Sequence, residues 1–166
     1  MPVTKGGTPA IAMLTAAGVP FNVTEFHHLE GEGNYGLAAA RELGVEPARV
    51  FKTLVVNLKT ESGLETVVGI VPASGQLALR GLAVALGGKR AEMCTAAVAQ
   101  RLTGYVVGGI SPFGQRTRLR TAIDETCVLF ESIFVSAGRR GLDVEMAPAD
   151  VVAVLHAVVA PIGVDR

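Results

Sequence analysis

Along the 166-residue chain the spacing of apolar and polar positions changes period several times, and each change predicts an element. Thr8-Pro9, the apolar run Ala10 to Ala17 and then Gly18 read as a capped helix. Threonine supplies an oxygen to the free N–H groups of the first turn, proline sits where no N–H is needed, and glycine ends the helix. Phe21 to Phe26 alternates, with Phe21, Val23 and Glu25 on one face, and predicts a strand. Asn34 caps a second helix, Tyr35 to Leu43, stopped by Gly44. The valine-rich runs Phe51 to Leu58 and Thr66 to Val71, separated by Lys59-Thr60-Glu61-Ser62-Gly63, predict a hairpin.

Further helices are expected over Gln76 to Leu86, closed by Gly87-Gly88, and from the cap Thr95 to about Leu102. The texture then changes to a glycine-dense loop after a short strand, beginning at Gly104. Short strands are expected near Leu119 to Ile123, Cys127 to Phe130, Ile133 to Ser136 and Asp143 to Met146, and Ala147-Pro148 opens a terminal helix to about Val159. Helices at both ends and between hairpins predict an α+β fold with a mixed, largely antiparallel sheet. Residues 1–166 read as a single domain, without repeat, linker or low-complexity tract.

Composition sharpens this. With 49% hydrophobic and 18% charged residues, the chain can bury enough surface to fold, which excludes a disordered class. No apolar segment has the length or flanks of a signal peptide or a membrane span, and the two cysteines, Cys94 and Cys127, suggest no disulfide framework. The expected location is a reducing cytoplasm. Fifteen basic and fifteen acidic residues sum to zero, but not evenly. Arg80 to Arg140 holds nine basic residues against four acidic ones, so a polyanionic partner stays open. Arg116, Arg118, Arg139 and Arg140 are the candidate contacts in this segment.

Most catalytic motifs fail on inspection. Gly31-Glu32-Gly33-Asn34-Tyr35-Gly36 matches G-x-G-x-x-G, but His27-His28-Leu29-Glu30 stands where a buried strand should lead in, which disfavours dinucleotide binding. In Gly109-Ile110-Ser111-Pro112-Phe113 the residue after the serine lacks an N–H, so Ser111 is a poor hydrolase nucleophile. Gly87-Gly88-Lys89-Arg90 lacks the P-loop spacing, and His27, His28 and His156 have no metal-ligand spacing. The glycine loop can still present backbone donors at Gly108 and Gly109, although a plain tight turn explains it equally well. Lys52 opens the face of a strand shared with Leu54, Val56 and Leu58. There it either snorkels off the strand end or stands at a pocket rim to meet an anion.

These residues, taken together, resemble a known family. Phe51-Lys52-Thr53-Leu54, Ala99-Gln100-Arg101 with Thr103-Gly104-Tyr105, Val107-Gly108-Gly109-Ile110-Ser111-Pro112 with Gly114-Gln115, and Val135-Ser136 through Arg140-Gly141-Leu142-Asp143-Val144-Glu145 are similar to the YbaK family. Its members are bacterial Cys-tRNA(Pro) deacylases related to the editing domain of prolyl-tRNA synthetase. The resemblance covers essentially the whole chain. It implies a mixed, partly barrel-like sheet wrapped by helices, and hydrolysis of the ester between a wrong amino acid and tRNA. By the same resemblance Lys52 matches the family's essential lysine, and Gly108, Gly109, Ile110, Ser111 and Pro112 match its substrate loop. Ser136 and Asp143 match polar positions lining the pocket, and Phe26 stands where tyrosine is common. Ala137 replaces a glycine and Arg139 a lysine.

The implied partners are the aminoacylated 3′ end of tRNA(Pro) and prolyl-tRNA synthetase, with Cys-tRNA(Cys) a further substrate and no cofactor, metal or membrane. The implied mechanism lets the substrate's own thiol attack its ester, leaving Cys94 and Cys127 as dispensable, buried spacers. The alternatives are a deacylase for another small residue, as in Ala-tRNA(Pro), and a non-catalytic tRNA- or synthetase-binding module.

Overall fold

The computed structural model describes residues 7–26 and 35–165. The predicted cap at Asn34 and the glycines of Gly31 to Gly33 lie outside them. Helix α1 spans Pro9–Ala17; Thr8 Oγ1 accepts from the Ile11 N–H, and Gly18, at φ +73°, turns the chain out of the helix. Strand β1 (Asn22–Glu25) and helix α2 (Tyr35–Leu43) follow, then β2 (Phe51–Thr60) and β3 (Gly63–Pro72) form the predicted hairpin. After them come β4 (Gly75–Leu77), α3 (Leu79–Ala85), β5 (Arg90–Met93) and α4 (Ala96–Thr103), the last capped by Thr95 as expected. The chain closes with β6 (Thr121–Asp124), β7 (Ile133–Arg139), β8 (Leu142–Met146), α5 (Pro148–Leu155), β9 (Val158–Ala160) and β10 (Gly163–Asp165).

The predicted α+β class holds. A five-stranded sheet runs β5-β2-β3-β6-β9, antiparallel across its first three strands and parallel from β3 onward. A three-stranded antiparallel sheet runs β1-β8-β7, and the bridge Val50↔Phe134 joins it to the start of β2. Both faces of the β2–β3 hairpin are covered. Phe51, Val55, Val68 and Ile70 pack with α1, β7 and β8, while Val56, Leu58, Val67 and Val71 pack beneath α3. Full burial of each such side chain contributes about 1.5–3 kcal/mol, which is why apolar residues occur at both parities of β2.

Four local expectations give way, two of them to distant strand partners. Gln76 and Leu77 belong to a strand, because β4 pairs with β10 near the other end of the sequence; only Leu79–Ala85 is helical. Cys127 to Phe130 is no strand, since residues Glu125–Leu129 form a 3-10 turn held by Asp124. One Asp124 oxygen accepts from the Thr126 N–H and hydroxyl, the other from the Ile162 and Gly163 N–H groups, so a single carboxylate ties the turn to β10. The terminal helix stops at Leu155, where His156 adopts φ +53°, and Val158–Ala160 pairs with β6 instead. No strand precedes the glycine loop: residues after Gly104 fold back on themselves, and the buried Tyr105 hydroxyl donates to the Phe113 carbonyl at 2.6 Å.

Candidate functional site

A cavity of about 430 Å³ opens where β2, the β7–β8 hairpin, the start of α4 and the glycine loop converge. Phe51 to Val55 floor it, so side chains of both strand parities border it. Lys52 is half-buried there, and burial lowers its pKa from 10.5 because the apolar surroundings disfavour the ammonium. Among the described residues it has no hydrogen-bond or ion-pair partner. Lys52 thus borders the cavity, the position described by the pocket-rim reading. Beside it the Thr53 hydroxyl is buried, also without a protein partner.

The opposite wall comes from the hairpin. Ser136 and Asp143 face each other across β7 and β8, and β1 pairs on the far side through Thr24↔Asp143. Asp143 is only 6% exposed, and burial pushes its carboxyl up to about 7. The ladder is irregular between Ser136 and Arg139, and the Ser136 hydroxyl accepts from the Gly138 N–H at 3.2 Å within that bulge. Arg139 reaches Glu25 at 3.1 Å and, with the Phe26 N–H donating to the Gly141 carbonyl at 2.9 Å, holds the end of β1 at the rim.

The glycine loop contributes Val107, Gly108 and Ile110. Gly108 sits at φ +92°, and a Cβ there would lie 2.6 Å from the Tyr35 ring and 2.8 Å from Arg140 Nε. At Gly109 an added Cβ would meet the Arg139 and Arg140 backbone at 2.7 Å. Two glycines in a row thus let the loop lie flat on the hairpin tip, which the sequence could suggest only as a capacity for close approach. Arg140 secures the contact: Nε and Nη2 both donate to the Val107 carbonyl, at 3.0 and 2.7 Å, and its guanidinium lies 4.8 Å over the Tyr35 ring.

The structure gathers Lys52, Phe26, Gly108, Ile110, Ser136, Asp143 and Arg139 at one cavity, with Gly109 and Arg140 bracing its loop. It turns the other expected residues away. Ser111 is fully buried, its hydroxyl accepting from the Phe113 N–H and its carbonyl from Gln115, so it shapes the turn. Pro112 and Arg118 border a separate cavity of about 120 Å³ with Met13 and Leu155. Arg116 packs against Gly104 at the end of α4.

Other cavity residues escaped the sequence reading. Tyr35, Met93, Cys94, Ala96 and Ala99 line it. The only local hint was a tyrosine opening a helix after a glycine-rich stretch, and the small residues of α4 look like ordinary core. Cys94, expected as a buried spacer, is partly exposed in the cavity wall, and burial raises its thiol above 9.0, so at neutral pH it stays protonated. Cys127 is fully buried, as expected.

Chemically, the cavity offers a cation, a buried carboxyl and a tight backbone loop. Among the described residues, its serine and cysteine have no neighbouring base in hydrogen-bond reach, and no three His, Cys, Asp or Glu side chains gather as a metal site. Among the described residues no helix is long and apolar enough to cross a membrane.

Comparison with known proteins accords with this geometry. Over 150 residues the chain is 37% identical to EbsC of Enterococcus faecalis, described as a Cys-tRNA(Pro)/Cys-tRNA(Cys) deacylase, covering 87% of this chain and 86% of that one. It is 30% identical to the multifunctional Ser/Thr-tRNA deacylase ProXp-y of Escherichia coli, covering 84% and 82%. Among solved structures, one described as a trans-editing enzyme for prolyl tRNA synthetase superposes with a TM-score of 0.80 at 23% identity, covering 94% of this chain and 95% of that one. The aminoacyl-tRNA editing domain pattern matches residues 36–154, a span holding Lys52, the glycine loop and Asp143, and the chain belongs to that family.

Proposed function

We propose that the chain is a trans-editing deacylase that hydrolyses the ester of Cys-tRNA(Pro), with Cys-tRNA(Cys) a further substrate, and that prolyl-tRNA synthetase presents the mischarged tRNA to it. The observation that carries this reading is the cavity itself: Lys52, with no partner among the described residues, shares it with a glycine loop and a buried carboxyl, and among those residues no nucleophile stands beside a base. The nucleophile then comes from the substrate. The cysteinyl thiol, deprotonated, attacks its own ester carbonyl, the carbon–oxygen bond to the ribose breaks, and the 3′ oxygen takes up a proton. Water opens the resulting four-membered thiolactone to free cysteine. Closing so strained a ring demands that the reacting atoms be held in position. Lys52 stabilises negative charge on the carbonyl oxygen or the adjacent 3′ end, and the backbone at Gly108 orients the acyl group. Phe26, Ile110, Cys94, Ala96 and Ala99 give the side-chain end an apolar wall, which favours a thiol over a hydroxyl.

A deacylation panel of Cys-tRNA(Pro), Ala-tRNA(Pro), Ser-tRNA(Cys) and Thr-tRNA, with and without prolyl-tRNA synthetase, tests this. The cysteinyl esters are expected to be cleaved at least about a hundredfold faster than the alanyl one, the scale of a lost catalytic group. Equal cysteinyl and alanyl rates rule out thiol assistance, and preferred seryl or threonyl cleavage moves the chain to the specificity of its second relative. Lys52→Ala is expected to lower the rate by about a hundredfold or more while the protein remains folded; unchanged turnover removes Lys52 from the mechanism.

A further inference from the structure

At the mouth of the cavity, three features meet that the hydrolytic reading does not use, beside the Gly108 backbone that it does. The Arg140 guanidinium lies 4.8 Å over the Tyr35 ring, with one face covered by it. The two hydrogen bonds that its Nε and Nη2 donate to the Val107 carbonyl fix the orientation of the plane, so the arginine is held by the ring and by the loop although it is exposed. Beside it Val106 and Val107 leave apolar surface in water, at 52% and 39% exposure. Tyr35, Val107 and Gly108 also line the cavity that holds Lys52.

An immobilised guanidinium backed by an aromatic ring and flanked by exposed valines is a flat, partly apolar surface with a net positive charge. Unpaired nucleobases stack on such surfaces, on aromatic rings and guanidinium planes alike. Chain geometry supplies the second constraint. An amino acid esterified to the terminal ribose carries the terminal base only a few bonds away, so an ester beside Lys52 and Gly108 places that base at the cavity rim.

We propose that Arg140, supported by Tyr35 and flanked by Val106 and Val107, is a stacking platform for the terminal, unpaired purine of an RNA 3′ end. The inference rests on the reading of the chain as an aminoacyl-tRNA deacylase. It assigns Arg140 a planar contact to a base, where a phosphate contact would need only charge. The platform also couples binding to the acyl site, because the guanidinium that takes the base is the one that pins the Val107–Gly108 loop.

The test uses an uncharged RNA minihelix ending in CCA, with 2-aminopurine as the terminal base, titrated with the full chain. Stacking is expected to quench the fluorescence by about half or more at saturation, and the quench is expected to persist in Tyr35→Phe. Arg140→Lys, which keeps the charge and loses the plane, is expected to abolish it, with circular dichroism confirming the fold. Should that variant not fold, Tyr35→Leu reads the same loss. Absence of quenching with the unmodified chain, or quenching that survives Arg140→Lys, overturns the platform. Deacylation activity is scored separately: an active enzyme that does not quench refutes the platform alone, and quenching by an inactive chain refutes the substrate reading alone.

Discussion

Asp143 shows at the scale of one residue how function and stability pull apart. Its place in a short strand was expected from the sequence, and its place at the pocket was implied by the family resemblance, but its burial was not legible, because that depends on β1 and β7 closing over it from either side. The consequence has a definite sign. The folded carboxyl titrates near 7 and the unfolded one near 3.8. Between those values the folded chain keeps a proton that the unfolded chain has lost, so stability falls as pH rises through the window and the penalty is complete above it. Asp143→Asn is therefore expected to be more stable than the unmodified chain at pH 8, by on the order of 2–4 kcal/mol, and no more stable near pH 4. Urea melts at the two pH values measure this, and a stability difference independent of pH refutes it. Lys52, beside the same cavity, shifts downward for the same reason: apolar surroundings disfavour whichever form is charged.

At the scale of elements, the site depends on one contact between a loop and a hairpin tip. Gly108-Gly109 and Arg139-Arg140 were each visible in the sequence, but some thirty residues apart, and nothing local says that they touch. Gly109→Ala would force a Cβ to 2.7 Å from the Arg139 and Arg140 backbone, and backbone on both sides leaves no flexible side chain to yield. The loop must lift, separating Gly108 from Lys52. This variant is expected to fold, to lose about 1–3 kcal/mol of stability, and to deacylate about tenfold or more slowly. Thermal unfolding and the cysteinyl-tRNA assay report on the two effects, and full activity would show that the loop's seat on the hairpin is irrelevant to catalysis. Two of the misread elements share a cause: Gln76-Leu77 and Val158 to Ala160 are decided by partners far along the chain, β10 and β6, which outweigh local propensity. Cys127 to Leu129 differs, since the neighbouring Asp124 caps its turn, and the same carboxylate then anchors that turn to distant Ile162 and Gly163. Elements carrying their own caps, α1 with Thr8 and Gly18 or α4 with Thr95, were readable because their signals are local.

Over the whole molecule, the charge asymmetry of the sequence is largely cancelled by folding. Three cations of the basic middle segment pair with acids from the first half of the chain: Lys89 with Glu61, Arg120 bidentately with Glu65, and Arg139 with Glu25. Arg116 and Arg118 lie away from the cavity. At the cavity, Lys52 and Arg140 carry positive charge with no carboxylate partner among the described residues, and Arg101 acts electrostatically on the cavity-lining Cys94. The apparent affinity for tRNA is accordingly expected to fall with salt on a log–log slope of roughly −1 to −3, as for a few phosphates neutralised on a single-stranded end. A slope of about −6 or steeper would require an extended basic surface elsewhere. Taken alone, the sequence determined the class of fold, the capped helices, the central hairpin, the lysine on its strand and the family resemblance, because caps, periodicity and short motifs are encoded within a few neighbouring residues. Only the tertiary structure decided which glycine touches which arginine, which charges cancel, that Ser111 faces inward while Cys94 and Tyr35 line the cavity, and how deeply Asp143 is buried. Each of those depends on residues brought together from distant parts of the chain, where distance through space, and not along the sequence, sets the energy.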